Sequence, residues 1–131
     1  LKQVMKNTRS EPDISSISNA KFKLWKSLLT SQGVRKNGLA LVAGEKIIQE
    51  LPSDIVETWL FQASDSRPKQ PGYSLSAELF HELNEAQAPG PLAVVRRPTL
   101  KKASLNQAPQ GLELLLALQD PSNLGAALRV A

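Results

Sequence analysis

The first regular pattern along the chain is an amphipathic stretch near its beginning. Leu24 and Leu28 stand four residues apart, which places both side chains on one face of a helix, and lysines occupy the other faces. Ser18 or Asn19 can cap such a helix, because their side-chain oxygens accept hydrogen bonds from free backbone N–H groups. The pattern therefore predicts a basic amphipathic helix over residues 20–31.

Short apolar runs rich in β-branched and aromatic residues follow, and they predict strands separated by helices. Gly33 is expected to end the first helix, and residues 35–38 are expected to form a turn. The predicted strands are residues 39–43, 55–61, 73–75 and 92–95, and the predicted helices are residues 45–51 and 77–85, the second capped by Ser76. Because the first two strands flank a helix with short connections, we expect residues 39–61 to form a βαβ unit.

The last twenty residues begin with an apolar run, residues 112–118, that only Glu113 interrupts. A short run of this kind between turn signals predicts a strand buried on both faces of a parallel sheet. Asp120 and Pro121 then mark a helix start, because Asp accepts a backbone N–H bond and Pro fits the first helical position, with Ser122 and Asn123 as alternative caps. A strand, a polar loop and a helix place ligand-binding groups at the carboxyl end of a strand in open α/β sheets.

Composition narrows the classes of function. The formal net charge is +4 and the isoelectric point is about 9.6, a balance that favours a polyanionic partner. The 131 residues contain no cysteine, which excludes a disulfide, a thiolate metal site and methylation of a pyrimidine ring through a cysteine nucleophile of this chain. His81 is the only histidine, so no histidine triad and no metal site are expected. No apolar run reaches membrane-spanning length and no signal peptide is evident, so a cytoplasmic protein without membrane contact is expected.

Residues 120–125 read Asp-Pro-Ser-Asn-Leu-Gly, and residues 129–131 read Arg-Val-Ala. This run resembles the first signature motif of the SpoU-type (TrmH-like) RNA ribose 2′-O-methyltransferases, usually Asp-Pro-Gly-Asn-x-Gly followed by Arg-Thr-Ala. Ser122 and Val130 depart from the usual Gly and Thr, whereas the Asn and the Arg of the motif are kept at the same separation. Residues 14–97 also resemble the small N-terminal domain of the family, which is similar to ribosomal protein L30e.

The resemblance implies an α/β fold: an L30e-like α/β/α sandwich with a mixed sheet, followed by the first strand and helix of a trefoil-knot SPOUT domain. The implied organisation is a flexible tail at residues 1–13, an RNA substrate-binding domain at 14–97, a linker at 98–111 and the start of the methyltransferase domain at 112–131. Because Leu1 is not Met and the final helix is only about two turns long, both ends look cut, and a fragment of a longer protein is expected. Family members are typically homodimers through the knotted domain.

The activity implied by the resemblance is methyl transfer from S-adenosylmethionine to a ribose 2′-hydroxyl. Asn123 and Arg129 are the catalytic candidates that the motif supplies. The permanent charge of Arg129 favours an alkoxide forming nearby, and a guanidinium gives up its proton with difficulty, so an electrostatic and positioning role is favoured over that of a base. Without the motif, Asn123 is simply a cap and Arg129 a solvated residue. In the family the methyl donor is held by later motifs, so this segment alone is expected neither to bind it nor to turn over.

Structured RNA is the implied partner, and ribosomal RNA is favoured over transfer RNA. Six cations are candidates for contact with its phosphates, with a solvated surface as the ordinary alternative. They are Lys21, Lys26, Arg35, Lys36, Arg96 and Arg97. Trp25 offers a stacking surface, but its place in the apolar stripe favours the core. Two other functions stay open: a non-catalytic RNA-binding module of the L30e type, and a protein-interaction domain that never touches RNA.

Overall fold

The computed structural model describes residues 11–64 and 70–130, and the chain divides into two compact units, Leu1–Thr99 and Leu100–Ala131. Within the described residues, the first unit carries four helices and four strands, and the second carries one helix. The elements are α1 (Ala20–Ser27), α2 (Ser31–Asn37), β1 (Leu39–Val42), α3 (Glu45–Glu50), β2 (Val56–Gln62), β3 (Gly72–Leu75), α4 (Ala77–Leu83), β4 (Leu92–Arg96) and α5 (Pro121–Val130), with a 3-10 turn at Ser53–Ile55.

The four strands form one mixed sheet in the order β1-β4-β2-β3. Strand β4 runs antiparallel to both β1 and β2, and β3 runs parallel to β2, so β1, β2 and β3 all point the same way. The two strands of the expected βαβ unit, β1 and β2, are therefore parallel, but they are not neighbours, because β4 lies between them. The mixed α/β fold is confirmed.

The hydrophobic core explains why β4 is central. Leu92 and Val94 lie in one cluster with side chains of α1, α4 and the other strands. Ala93 and Val95 point to the opposite face, because side chains alternate along a strand, and both are buried as well. A strand that is buried on both faces can lie only in the middle of a covered sheet, as the expected sandwich requires.

The predicted first helix is wrong in its length, because the chain forms two helices where one was expected. Asn19 caps α1, since its side-chain oxygen accepts from the backbone N–H groups of Lys21 and Phe22. The chain then turns, and Thr30 caps α2 by accepting from the backbone N–H of Gly33 at 3.1 Å. The expected turn at residues 35–38 is instead the last turn of α2 and its left-handed cap at Gly38.

Gly33 does not end a helix but lets two helices approach closely. A Cβ built on it would lie 1.9 Å from the carbonyl oxygen of Ser27, so any side chain would collide with α1. The C-terminal turn of α1 and the first turn of α2 therefore depend on this glycine for their contact. Packing, and not backbone freedom, is the reason for its presence.

A short segment before α1 extends the edge of the sheet. Ile14 forms a parallel bridge with Leu75, and its backbone N–H donates to the carbonyl of Ser74 at 3.1 Å. The carboxylate of Asp13 accepts from the backbone N–H of Ser74 at 2.9 Å. Asp13, which the sequence assigns to the tail, is thus hydrogen-bonded to β3; residues 1–10 of that tail lie outside the described residues.

The second unit contains α5 but not the strand predicted before it. Residues 112–120 form neither helix nor strand, and Leu112 and Leu115 are 99% and 78% exposed. A buried parallel strand exists only when neighbouring strands accept and donate its backbone hydrogen bonds, and no described residue supplies such a neighbour. The predicted strand at residues 112–118 is therefore wrong for this structure, whereas the predicted helix after it is present.

Candidate functional site

The motif at residues 120–125 begins a helix in the way the sequence predicts. The carboxylate of Asp120 accepts from the backbone N–H of Ser122 at 2.8 Å, and the carbonyl of Asp120 accepts from the N–H of Leu124 at 3.1 Å. Pro121 is the first residue of α5, where its missing N–H removes no hydrogen bond. Asp120 is therefore the cap, and the side chain of Asn123 is not used for capping.

Asn123 and Arg129 occupy separate faces of α5. Six residues at about 100° each place them roughly 120° apart around the helix axis, and a rise of about 1.5 Å per residue separates them by about 9 Å along it. Both are exposed, and neither side chain has a hydrogen-bond or ion-pair partner within the described part of the chain. The carboxamide and the guanidinium are thus free to bind other groups, but they do not form a pre-assembled pair.

The second unit leaves most of its surface open to solvent. Residues 100–130 are all exposed except for Gly125 and Ala127, which are half-buried. That this segment alone does not bind S-adenosylmethionine stays a prediction, which rests on the family resemblance.

Four of the six predicted RNA-binding cations meet at one edge of the sheet. The backbone N–H of Arg97 donates to the carbonyl of Gly38 at 2.9 Å, and Arg96 is paired with Leu39 across β1 and β4. Gly38 follows directly on the last turn of α2, which carries Arg35 and Lys36. These four residues, Arg35, Lys36, Arg96 and Arg97, are all exposed and are called the basic edge below.

Within the basic edge, Arg96 also makes a hydrogen bond inside the protein. Its guanidinium donates to the backbone carbonyl of Asp54, in the 3-10 turn before β2. The side chains of Arg35, Lys36 and Arg97 have no hydrogen-bond or ion-pair partner among the described residues, so their charges remain available to an anion. Arginine grips phosphate with paired N–H groups, and lysine acts as a point charge.

The remaining two cations, Lys21 and Lys26, lie on α1, away from the basic edge. The Lys21 ammonium is 5.4 Å from the ring centroid of Tyr73, on β3, at the opposite edge of the sheet. Lys26 forms an exposed ion pair of 2.7 Å with Glu82 of α4. Trp25 is 3% exposed and packs against Tyr73 with ring centroids 5.5 Å apart, which confirms its place in the core.

A cavity that the sequence did not predict lies at the other end of the sheet. It has a volume of about 330 Å³ and is lined by Gln62 at the end of β2, by His81 on α4, and by residues of the loop 84–90. We call it the carboxyl-edge cavity, because the carboxyl ends of β1 and β2 lie there, beside the amino end of β4. Gln62 is far in sequence from the other lining residues, which all lie between positions 80 and 90, so no local pattern could have joined it to them.

The described residues were also compared with the requirements of a metal site and of a membrane-spanning helix. Over residues 11–64 and 70–130, no group of three or more metal-ligating side chains comes together. None of the helices in that part of the chain is both long enough and apolar enough to span a bilayer.

Comparison with known proteins gives relatives of one kind, although no family model matches the sequence. The chain is 30% identical to ribosomal RNA small subunit methyltransferase G 2 of Syntrophobacter fumaroxidans, over 90% of this chain and 26% of that protein. It is 32% identical to the 23S rRNA (guanosine(2553)-2'-O)-methyltransferase RlmP of Bacillus subtilis, over 90% of this chain and 49% of that protein. The chain thus spans about a quarter and about half of the length of these relatives.

Solved structures agree with the sequence comparison. A crystal structure of an RNA 2′-O ribose methyltransferase superposes with a TM-score of 0.63 and 25% identity, over 88% of this chain and 50% of that one. The SpoU methyltransferase AviRb from Streptomyces viridochromogenes, solved with AdoMet, superposes with a TM-score of 0.50 and 25% identity, over 62% of this chain and 36% of that one. The family resemblance is confirmed, and the chain is related in sequence and in fold to the SpoU-type RNA methyltransferases.

Proposed function

We propose that the protein is an RNA ribose 2′-O-methyltransferase that uses S-adenosylmethionine, and that this chain supplies its RNA-binding domain and its first catalytic motif. The observation that carries the proposal is the motif at residues 120–125, at the start of a capped helix, in a chain that aligns over 90% of its length with rRNA methyltransferases. Ribosomal RNA is favoured over transfer RNA as the substrate, because both relatives carry it in their names. Because ribosomal RNA is the proposed substrate, the proposed location is the cytoplasm.

The chemistry proposed for α5 belongs to Asn123 and Arg129. Transfer to a ribose oxygen requires that oxygen to lie in line with the methyl group, and its developing negative charge must be stabilised. The free guanidinium of Arg129 suits the second task, and the free carboxamide of Asn123 can hold the ribose or a neighbouring phosphate. Because the two side chains lie on different faces of α5, we assign them to different contacts and not to one relay.

The RNA contact proposed for the first unit is electrostatic. The basic edge presents Arg35, Lys36 and Arg97 without a competing partner in the described chain, and Arg96 beside them. Lysine and arginine that neutralise phosphates release counterions, which makes the affinity fall steeply with salt. Lys21 and Lys26 remain proposed contacts of a second, separate area, because Lys21 lies over Tyr73 of the opposite edge strand and Lys26 pairs with Glu82 of α4.

The experiment that tests the proposal uses the whole protein, ribosomal RNA and S-adenosylmethionine labelled with tritium in its methyl group. After alkaline hydrolysis, label in a resistant dinucleotide is expected, because a 2′-O-methyl group removes the hydroxyl that cleaves the neighbouring phosphodiester. Label only in mononucleotides would contradict ribose methylation. Faster transfer to transfer RNA than to ribosomal RNA would contradict the proposed substrate.

One observation favours a second candidate, a non-catalytic RNA-binding module. The first unit closes its own hydrophobic core from residues before Thr99, so α5 is not needed for its packing. RNA binding by the whole protein with no methyl transfer to any RNA would support this alternative. We further propose, from the family resemblance, that the whole protein is a homodimer through its knotted domain, which the molar mass in solution tests.

A further inference from the structure

The excess positive charge of the chain is concentrated in one stretch that carries no acidic residue. Residues 86–112 contain neither aspartate nor glutamate, and they contain four cations, Arg96, Arg97, Lys101 and Lys102. Without these four, the 16 lysines and arginines of the chain are reduced to 12, which the 12 acidic residues balance. The charge of this stretch therefore equals the whole formal net charge of +4.

Half of that charge lies beyond the sheet. Arg96 and Arg97 stand at the end of β4, within the basic edge. Lys101 and Lys102 follow them in the linker, residues 98–111, which forms neither helix nor strand and is exposed throughout. Neither lysine has a hydrogen-bond or ion-pair partner in the described part of the chain, so no described group of the protein neutralises these two charges.

An RNA backbone is the counterpart that suits two such lysines. A lysine that neutralises a phosphate releases a counterion, and this gain requires no fixed side-chain geometry. Successive side chains of an extended chain point to opposite sides, so Lys101 and Lys102 can reach two different phosphates. Basic segments without regular structure commonly bind RNA, because they become ordered on its surface.

The order of the chain favours RNA over an acidic protein as the partner. The linker starts after Arg97 in the basic edge and leads to the motif at residues 120–125, and RNA is the proposed partner of both. Lys102 follows Arg97 by five residues, so at about 3.3–3.6 Å per residue the chain cannot separate the two by more than about 18 Å. RNA bound at the basic edge would therefore be within reach of the linker lysines.

We propose that the linker is itself an RNA-binding segment, in which Lys101 and Lys102 contact phosphates between the part of the RNA held by the first unit and the nucleotide that is methylated. The inference rests on the proposed function, because it requires RNA as the partner. It assigns a binding role to a segment that the sequence identified only as a connection.

The test compares the full chain with the double variant Lys101→Gln, Lys102→Gln, which removes two charges and keeps much of the length of each side chain. Lys23→Gln with Lys46→Gln is the matched control, because it removes two charges from exposed lysines of α1 and α3. Binding of a fluorescein-labelled RNA hairpin is followed by anisotropy over a series of salt concentrations. Thermal melts of the three proteins should coincide, since none of the four lysines has a partner in the described chain.

We expect the linker variant to lower the slope of log affinity against log salt by about 1.4 to 1.8, which is about 0.7 to 0.9 for each lost phosphate contact. Referred to about 1 M salt, where this term vanishes, the affinity at about 0.1 M should be roughly 25- to 60-fold weaker. The control should change both quantities much less. In a second measurement, acetylation by an N-hydroxysuccinimide ester should slow at Lys101 and Lys102 when RNA is bound, and stay unchanged at Lys23 and Lys46.

Equal slopes for the linker variant and the control would overturn the assignment while RNA binding itself stands. Acetylation of Lys101 and Lys102 at the same rate with and without RNA would do the same. If polyglutamate protects these two lysines and RNA does not, the partner is an acidic protein and the proposal is wrong. A wild-type chain that binds no RNA would count against the proposed function as well as against the linker.

Discussion

Neutralising the basic edge is the perturbation with the most calculable effect on RNA binding. The variant is Arg35→Gln, Lys36→Gln and Arg97→Gln together, three exposed cations whose side chains have no hydrogen-bond or ion-pair partner in the described chain. Arg96 is left in place because its guanidinium also donates to the carbonyl of Asp54, so its removal would disturb the turn before β2. The substitutions keep the polarity and much of the length of each side chain while removing its charge.

The expected magnitude follows from counterion release. Each neutralised phosphate contributes about 0.9 to the slope of log affinity against log salt for a duplex and about 0.7 for a single strand. Three lost contacts should lower the slope by about 2 to 3. Referred to roughly 1 M salt, where this term vanishes, the loss at about 0.1 M is roughly 100- to 500-fold in affinity.

Fluorescence anisotropy with a labelled hairpin over a series of salt concentrations measures both quantities. The control is Lys23→Gln with Lys46→Gln, two exposed lysines on α1 and α3 that are not assigned to RNA. The control should change the slope much less than the basic-edge variant. If both variants lower the slope by the same amount for each charge removed, binding is spread over the whole surface and the basic edge is not the site.

Three further outcomes are expected. Asn84→Ala should lower the free energy of unfolding by about 2 kcal/mol in urea melts, because the two hydrogen bonds of its amide with the backbone of Ala88 are lost and the Ala88 N–H is left without its acceptor; no change would show that the loop 84–90 does not depend on this side chain. Gly33→Ala should lower it by about 2–3 kcal/mol, because the new methyl group would overlap the Ser27 carbonyl, whereas Gln32→Ala in the same helix should change it little. The 131-residue chain alone should release no heat on titration with S-adenosylmethionine, because the family resemblance implies that later motifs hold the donor; saturable binding would contradict that prediction.

Local chemistry explains the parts of the fold that the sequence predicted. Asn19, Ser76 and Asp120 were identified as caps, and each accepts a hydrogen bond from a backbone N–H two or three residues later. The apolar runs of β2 and β4 predicted strands whose ends agree with the structure to within one residue. Such features depend on a few neighbouring residues, which a single sequence contains in full.

Contacts between distant residues explain what the sequence missed. The insertion of β4 between β1 and β2 is decided by which strand can be buried on both faces, and no local pattern encodes the order of strands. The break between α1 and α2 depends on the fit of Gly33 against Ser27. The apolar run at residues 112–118 predicts a strand only if partners are present, and the described chain has none for it.

The candidate site likewise has parts that the sequence predicted and parts that it missed. The motif identified Asn123 and Arg129 as candidates. That they lie on different faces of α5 follows only from the helix seen in the structure. The sequence proposed six cations as one group. The pairing of β1 with β4 and the hydrogen bond between Arg97 and Gly38 bring only two of them, Arg96 and Arg97, beside Arg35 and Lys36. The carboxyl-edge cavity had no sequence signal, because the positive φ of Gln87 in its lining, +50°, is not visible in a sequence.

The most direct test of the central claim is the rate of ribose methylation by the whole protein with Arg129 replaced. Turnover of ribosomal RNA is measured as label in alkali-resistant dinucleotides, and RNA affinity is measured in parallel to separate chemistry from binding. We expect Arg129→Ala to lower kcat by about 100-fold or more with RNA affinity nearly unchanged, and Arg129→Lys to recover part of the rate through its charge. An Arg129→Ala protein that methylates RNA at the wild-type rate would contradict the account.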